Sequence, residues 1–538
     1  MGAQAYTVSD YSWETFVSII AEFSSAPPQF LQSKRIIKYF HEYFSQSGVN
    51  VKTIICENHY IDRDYLEDYA GFYAKCYTNY KKHCRRLHFF SKTINDTELK
   101  KLLRGEIDEK INLKQLKDAY CGFIVIKPLP RTMIGKTCLK TYDCDREDGS
   151  RRHYVKARSY DASLFGLPLT IKDTVAFQEQ DSVAAACATS ALWTVFQATG
   201  QFFQHHIPSP IQVTQAATVI PELGRSIPQE GLSLKQMMLA VKSIGLDVYT
   251  TATPVEELTK AQIHAFIKCG IPLTLAVEIH TGSLETGAYW TFQGYHAVVV
   301  TGFNIDTQSE LPDFTTPQGS SILLRSSRIK KIYVHDDGVG PFARMEFDRN
   351  KITLQGPQEK WSLSTSWEFP DTTTRMNVTH IIFAHHEKIR ITYTVIYEII
   401  CLFNHIIVNE NWFSPIEWEI FLTTLNHYKQ EVLADSDRNA DSRETLLTTS
   451  MPKYIWRVVA WNRQGKRIFE CLFDATDFAL GHPFLHIFPF DWNTLQPMIL
   501  NCYQACNPKD TQAKSDFEEL QTQMVWKLIE AISALHRQ

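Results

Sequence analysis

With 538 residues, the chain exceeds what a single hydrophobic core supports, so two or three domains are expected. Hydrophobic residues make up 44%, charged residues 21%, and the formal net charge is -4. These values belong to an ordinary folded chain, and they exclude general disorder and a global electrostatic pull toward nucleic acid or lipid.

The opening stretch, MGAQAYTVSDYSWETF, lacks the basic start and apolar centre of a secretory leader, and Tyr6 stands where a myristoylation signal takes Ser or Thr. No run reaches the roughly 18 apolar residues of a membrane span. A cytoplasmic location without membrane contact is expected, with reduced thiols and unused sequons at Asn95 and Asn377. Residues 1–158 read as an α+β domain with no assigned chemistry. In it RDYLEDYAGFYAKCYTNYKKHCRRL carries apolar and aromatic side chains at helical spacing, and YCGFIVIKP is a strand closed by prolines. The basic, aromatic-laced YKKHCRRLHFF reads as a solvated helix face in preference to a phosphate-gripping patch, so nucleic acid is not an expected partner. MIGKT has Pro130 where a phosphate-binding loop needs glycine, and reads as a turn after a strand. The polar YDCDREDGSRRHYVKARSYD reads as a linker.

Residues 159–350 open on a hairpin, SLFGLPLTIKDTVAF, followed by a helix beginning near Cys187 in QDSVAAACATSALW and by three apolar strands, IPLTLAVEI, GYHAVVVTGF and KIYVHDD. Cys269 packs at the entry of the first of these strands. Residues 351–538 read as a second flanking α+β domain: an apolar run HIIFAHHEKIRITYTVIYEIICLF, a hairpin YIWRVVAWNRQGKRIFECLFDATDF, and a closing amphipathic helix, DFEELQTQMVWKLIEAISALH. Adjacent histidines at His205–His206 and His385–His386 point apart in a strand or helix and are not metal sites. Asp474 and Asp477 read as caps, and Cys502 and Cys506 lack the second pair that a zinc site needs.

Cys187 carries the chemistry. Asp181 and Ser182 are N-cap candidates, and the alanine-rich run from Val183 to Leu192 favours helix. Near a helix N-terminus the partial positive charge and free amides favour a thiolate, and small neighbours let a carbonyl approach the sulfur. A buried cysteine in an alanine-lined helix is the competing reading of that stretch alone. A thiol nucleophile needs a histidine to take its proton and a third group to hold the histidine's tautomer. His296 begins one apolar strand, and Asp336 and Asp337 end another before the turn GVGPF.

Gln180, the Cys187 helix, GLSLKQMMLAVKSIGLDV from Gly231, CGIPLTLAV from Cys269, GYHAVVV and IYVHDD resemble, in that order, the papain-like cysteine peptidases, and most of all their branch that includes the bacteriocin-processing, double-glycine peptidases. The likeness covers about residues 160–345. It implies a papain-like α+β catalytic domain, in which a helix-start cysteine packs on an antiparallel sheet, within residues 159–350. Cys187 would be the nucleophile, His296 the base and then the acid, and Asp336 the group that orients His296. Gln180, with the Cys187 amide, would form the oxyanion hole. The chain departs from the branch at Ala188, where glycine is usual, and at Asp337, where proline is, and Gln178 rivals Gln180. The implied reaction is acyl transfer from a peptide or isopeptide bond to water through a thioester, with no metal or organic cofactor. The substrate would be a protein or peptide, and the flanking domains would recruit it, bind a regulatory protein or hold the site inactive. The same three groups also serve acyltransferases and amidohydrolases, and a silent interaction module would keep the fold without turnover. Strand alternation puts Ile332, Val334 and Asp336 on one face and Tyr333, His335 and Asp337 on the other, which assigns Asp336 to the imidazole, Tyr333 and His335 to a solvent-facing rim and Asp337 to a turn cap.

Overall fold

A computed structural model of the chain describes residues 4–46, 49–106, 111–143, 150–181, 187–220, 231–253, 255–283, 290–306, 309–312, 314–315, 321–348, 351–353, 359–365, 373–408, 415–477, 482–491 and 493–496. The chain divides into two units: Met1–Pro254 with Gly270–Asn304 and Lys331–His385, and Val255–Cys269 with Ile305–Lys330 and His386–Gln538. Both are mixed α+β. The boundaries expected at residues 158 and 350 fall inside the first unit. The stretch read as a linker supplies the reason, because its strand β6 (Ser150–Tyr154) joins a sheet of the following segment.

The first unit begins with an antiparallel sheet in the order β1 (Tyr6–Asp10), β2 (Thr53–Tyr60), β3 (Cys84–Phe90), β4 (Tyr120–Ile126), β5 (Ile134–Leu139). Helices α1 (Trp13–Ser24), α2 (Pro28–Ser33) and α3 (Arg35–Ser45) contribute Phe16 and Ile20, Leu31, and Phe40 and Phe44 respectively to a core shared with Phe89 of β3. Ser12 caps α1 by accepting the Thr15 N–H at 3.1 Å, and Ser25, at φ 61, ends it in the left-handed region. Helix α4 (Arg63–Gly71) stops early, and the basic stretch read as helix becomes β3. There Arg86 is buried against Glu57 of β2 at 2.5 Å, a cross-strand partner that local spacing does not reveal. Capped helices α5 (Asp96–Arg104) and α6 (Leu113–Asp118) precede β4. The expected hairpin is present as β7 (Arg158–Leu164) and β8 (Leu167–Thr174), with Phe165 and Gly166 at φ 51 and 90 in its two-residue turn.

Helix α7 (Cys187–Phe203) is buried on all sides from Ala188 to Gly200, as an apolar helix between two layers must be. Leu192, Val195 and Phe196 pack with Ala297, Val299 and Ile382, while Trp193 belongs to the core of the β4 and β8 side. Helices α8 (Pro210–Ala217) and α9 (Leu234–Ser243) complete that layer. The main sheet runs β10 (Leu273–Gly282), β11 (Thr291–Asp306), β14 (Ile329–Asp336), β15 (Gly340–Phe347), β18 (Leu363–Ser364), β19 (Thr373–His385), β9 (Asp247–Ala252). β6 pairs with β11, and β19 also pairs with β10, so six strands close into a ring. A short pair, β16 (Ile352–Thr353) and β17 (Glu359–Lys360), lies outside it.

The second unit is built on the sheet β12 (Phe314–Thr315), β13 (Ser321–Leu324), β20 (Glu417–Thr424), β21 (Tyr454–Trp461), β22 (Arg467–Asp474), β23 (Phe484–Pro489), in that order. The hairpin expected around the Gln-Gly turn is β21–β22. Helices α10 (Glu256–Cys269), α11 (Tyr393–Val408), α12 (Leu425–Ala434) and α13 (Ala440–Thr448) accompany it. Glu470 is fully buried but compensated, taking hydrogen bonds from Arg457 at 2.8 Å, from the Tyr428 hydroxyl at 2.6 Å and from Arg438. The closing helix expected near residues 516–536, and Cys144, Cys502 and Cys506, lie outside the described residues.

Candidate active site

Cys187 is the first described residue of α7, half-buried, and its thiol shares a hydrogen bond with the ring of His296. His296 is buried in β11, opposite Val277 of β10. Its Nε2 lies 3.1 Å from Asp336 Oδ1 and 3.4 Å from Asp337 Oδ1. Asp336 ends β14, is fully buried, and also accepts the Gly338 N–H at 2.9 Å. The sequence-predicted Cys187, His296 and Asp336 thus come together from a helix and two strands. Burial alone would push the His296 imidazole down. The charge and hydrogen bond of Asp336, then the charge of Asp337 and the Cys187 bond, hold it well above the ordinary histidine value. The ring is thus placed to exchange a proton with the Cys187 sulfur.

Asp337 departs from the turn-cap expectation. β14 ends at Asp336, so Asp337 sits in the turn before β15, where the alternation that would send it to the opposite face from Asp336 no longer applies. Both carboxylates therefore approach one imidazole. Asp337 is buried, and its Oδ2 finds no hydrogen-bond partner among the described residues. Burial, opposed by the His296 charge and reinforced by the charges of Asp336 and Glu179, raises its carboxyl to about 7. Tyr333 and His335 do not form the expected solvent-facing rim. Tyr333 is in the α1–α3 core and accepts from Arg152 Nε at 2.9 Å, while His335 packs edge-on to Phe342 with ring centroids 4.8 Å apart. Burial lowers His335 to about 3, so it is neutral near pH 7.

A narrow cavity of about 10 Å³, room for one water-sized group, lies beside the thiol. Gln178, Cys187, His335 and Asp337 line it. Gln180, the residue expected at the oxyanion position, is half-buried and does not line it. What places Gln178 is a bridge the sequence did not signal: Phe177 exchanges backbone hydrogen bonds with Thr137 of β5 at 2.7 and 2.9 Å, and the Glu179 N–H donates to Ile134 at 3.1 Å. MIGKT is therefore mostly strand, and its role is to hold this segment. Glu179 and Asp181 pin the same stretch from their side chains, Glu179 to Lys34 and the Ile134 N–H, Asp181 to the Tyr73 hydroxyl and Lys127. Ser182, the other N-cap candidate, lies outside the described residues.

One ligand atom from each of His296, Asp336 and Asp337 lies within 4.8 Å of the others. An imidazole and two carboxylates so spaced can donate and accept a proton, and they could equally hold a divalent cation in place of the Nε2 proton. Several of the other described thiols are chemically quiet: burial raises Cys121 to about 11 and Cys56, Cys138, Cys269 and Cys401 to about 12. Among the described cysteines, Cys187 and Cys76 escape full burial.

No family model matches the chain, and no curated protein does. Among solved structures, EndoMS in its apo form is similar over 41% of this chain and 72% of its own, at 12% identity and a TM-score of 0.11. The EndoMS–dsDNA2 complex is similar over the same shares, at 11% identity and a TM-score of 0.11. So small an overlap carries no argument about fold or chemistry here.

Proposed function

We propose that the chain is a papain-like cysteine peptidase that cleaves a peptide or isopeptide bond of a protein substrate through a thioester on Cys187. The observation that carries this reading is the chain of contacts Cys187–His296–Asp336, with Nε2 of the ring 3.1 Å from the carboxylate. In the reaction the thiolate attacks the carbonyl carbon, and the oxygen takes up the negative charge. The Cys187 amide and the Gln178 side chain, both from residues that line the small cavity, would be the donors to an oxyanion placed there. The C–N bond breaks as His296 gives its proton to the leaving amine. Water then loses a proton to His296 and attacks the thioester, releasing the acid and restoring the thiol. Asp336 holds the imidazolium throughout. Asp337, neutral below about pH 7, places no charge beside the developing oxyanion.

The test compares wild type with Cys187→Ala by mapping new protein N-termini after incubation with a whole-cell extract. Termini that depend on Cys187, and a substrate retained by the alanine variant, support the reading. Identical terminus maps for both proteins refute it.

A further inference from the structure

A second cavity, of about 500 Å³, opens in the first unit where α1 faces the ends of β2 and β3. Its size is that of a small-ligand site. Phe23 and Glu22 line it from α1, His59 from β2, and Lys81, His83 and Arg85 from the stretch entering β3. This is the basic, aromatic-laced motif whose expected helix the fold replaces with a strand.

Three local features set it apart from scattered surface charge. The β2–β3 pairing shifts between Glu57 and Tyr60, and this bulge frees Asn58 and His59 from the ladder so that they line the cavity. The His59 and His83 rings stand with centroids 4.4 Å apart. Arg85 is largely buried at 14% side-chain exposure and held by Glu22 at 2.9 Å and the Ile19 carbonyl at 3.3 Å, while its Nε, also buried, has no partner among the described residues. Lys81 and Arg85 both lie over the Phe23 ring, at 4.7 and 5.0 Å from its centroid.

We infer that this cavity binds the dianionic phosphate of a small-molecule phosphomonoester. The charge balance gives the class. Lys81 and Arg85 carry two positive charges against one on Glu22, leaving one, and a dianion needs two. His83 supplies the second by taking up a proton. The free site is poised for that step: burial, then His59, Lys81 and Arg85, hold His83 below the ordinary imidazole value, a repulsion that an anion removes. A phosphodiester, with one charge, is matched without the proton. Lys81, Arg85 and a protonated His83 suit the phosphate oxygens as both point charges and directional donors.

The experiment is titration calorimetry on the full chain at pH 7, repeated in buffers of different ionisation enthalpy, with inorganic phosphate, ribose 5-phosphate and a nucleoside 5′-monophosphate as probes and a nucleoside 3′,5′-cyclic phosphate as the diester. The monoesters are expected to bind with uptake of about one proton each and at least tenfold more tightly than the diester. Lys81→Gln, at an exposed position, is expected to weaken binding at least tenfold, and His83→Asn to abolish the proton uptake. Absence of heat with any monoester at millimolar concentration, equal affinity for diester and monoester, or binding without proton uptake would overturn the inference. So would binding unchanged in both variants.

Discussion

Replacing Asp337 by asparagine tests the two-carboxylate arrangement around His296. Burial raises the folded-state carboxyl to about 7 from an ordinary value of 3.8, so the folded chain holds a proton that the unfolded chain releases. Stability from this group is fully present below pH 3.8, and it is lost as pH rises through about 7. At about 1.4 kcal/mol per pH unit, the interval corresponds to a loss on the order of 4 kcal/mol by pH 8.5. Asparagine keeps the shape and cannot ionise. Urea unfolding of wild type and Asp337→Asn at pH 5 and pH 8.5, which spans about two of those units, should therefore show the wild type losing on the order of 3 kcal/mol more than the variant. In the same variant, cleavage or Cys187 alkylation should decline less above pH 7, because no charge appears beside the cavity. Equal pH dependence of the two proteins in unfolding would refute the buried, proton-holding role of Asp337.

Gln178→Ala should lower turnover by on the order of a hundredfold or more with the fold retained, and Gln180→Ala by much less, since Gln178 lines the cavity beside the thiol; steady-state rates decide, and the reverse order would return the oxyanion role to Gln180. Asp336→Asn should cut turnover by about a thousandfold, because an amide no longer favours the imidazolium, with circular dichroism as the check on folding. Zn²⁺ should slow Cys187 alkylation by displacing the His296 Nε2 proton between the two carboxylates, and EDTA should restore the rate; labelling indifferent to Zn²⁺ would show that no cation enters. In the second unit, Glu470→Ala should cost about 3–5 kcal/mol in urea unfolding, because Arg438 and Arg457 lose their buried counter-charge.

Much of this was legible in residues whose neighbours in sequence are also their neighbours in space. The Phe165–Gly166 hairpin, the apolar strands that carry His296 and Asp336, and the helix that carries Cys187 all follow from local pattern. What the sequence hid depends on partners far along the chain. The basic stretch at β3 has aromatic spacing that suits helix and strand alike, and Glu57 and His88, joined across the β2–β3 pair at 3.0 Å, decide for strand. Gln178 owes its place to a backbone bridge onto β5, about forty residues earlier. Asp337 reaches His296 from the turn just past the end of β14, and alternation, the rule that separated it from Asp336, holds only inside the strand. The residue-158 boundary differs for a related reason: β6 carries the polar composition of a linker, yet it pairs with β11 of the following segment.

The central claim is that Cys187 is an activated nucleophile, and the most direct measurement is residue-resolved alkylation by iodoacetamide at pH 6, read by peptide mass spectrometry on wild type and His296→Ala. Cys76, which is also half-buried, is the internal control. The thiolate–imidazolium pair predicts that Cys187 is modified at least tenfold faster than Cys76, and that this advantage disappears in His296→Ala while Cys76 is unaffected. Equal modification of Cys187 and Cys76 in the wild type, or a Cys187 rate unchanged by loss of His296, would contradict it.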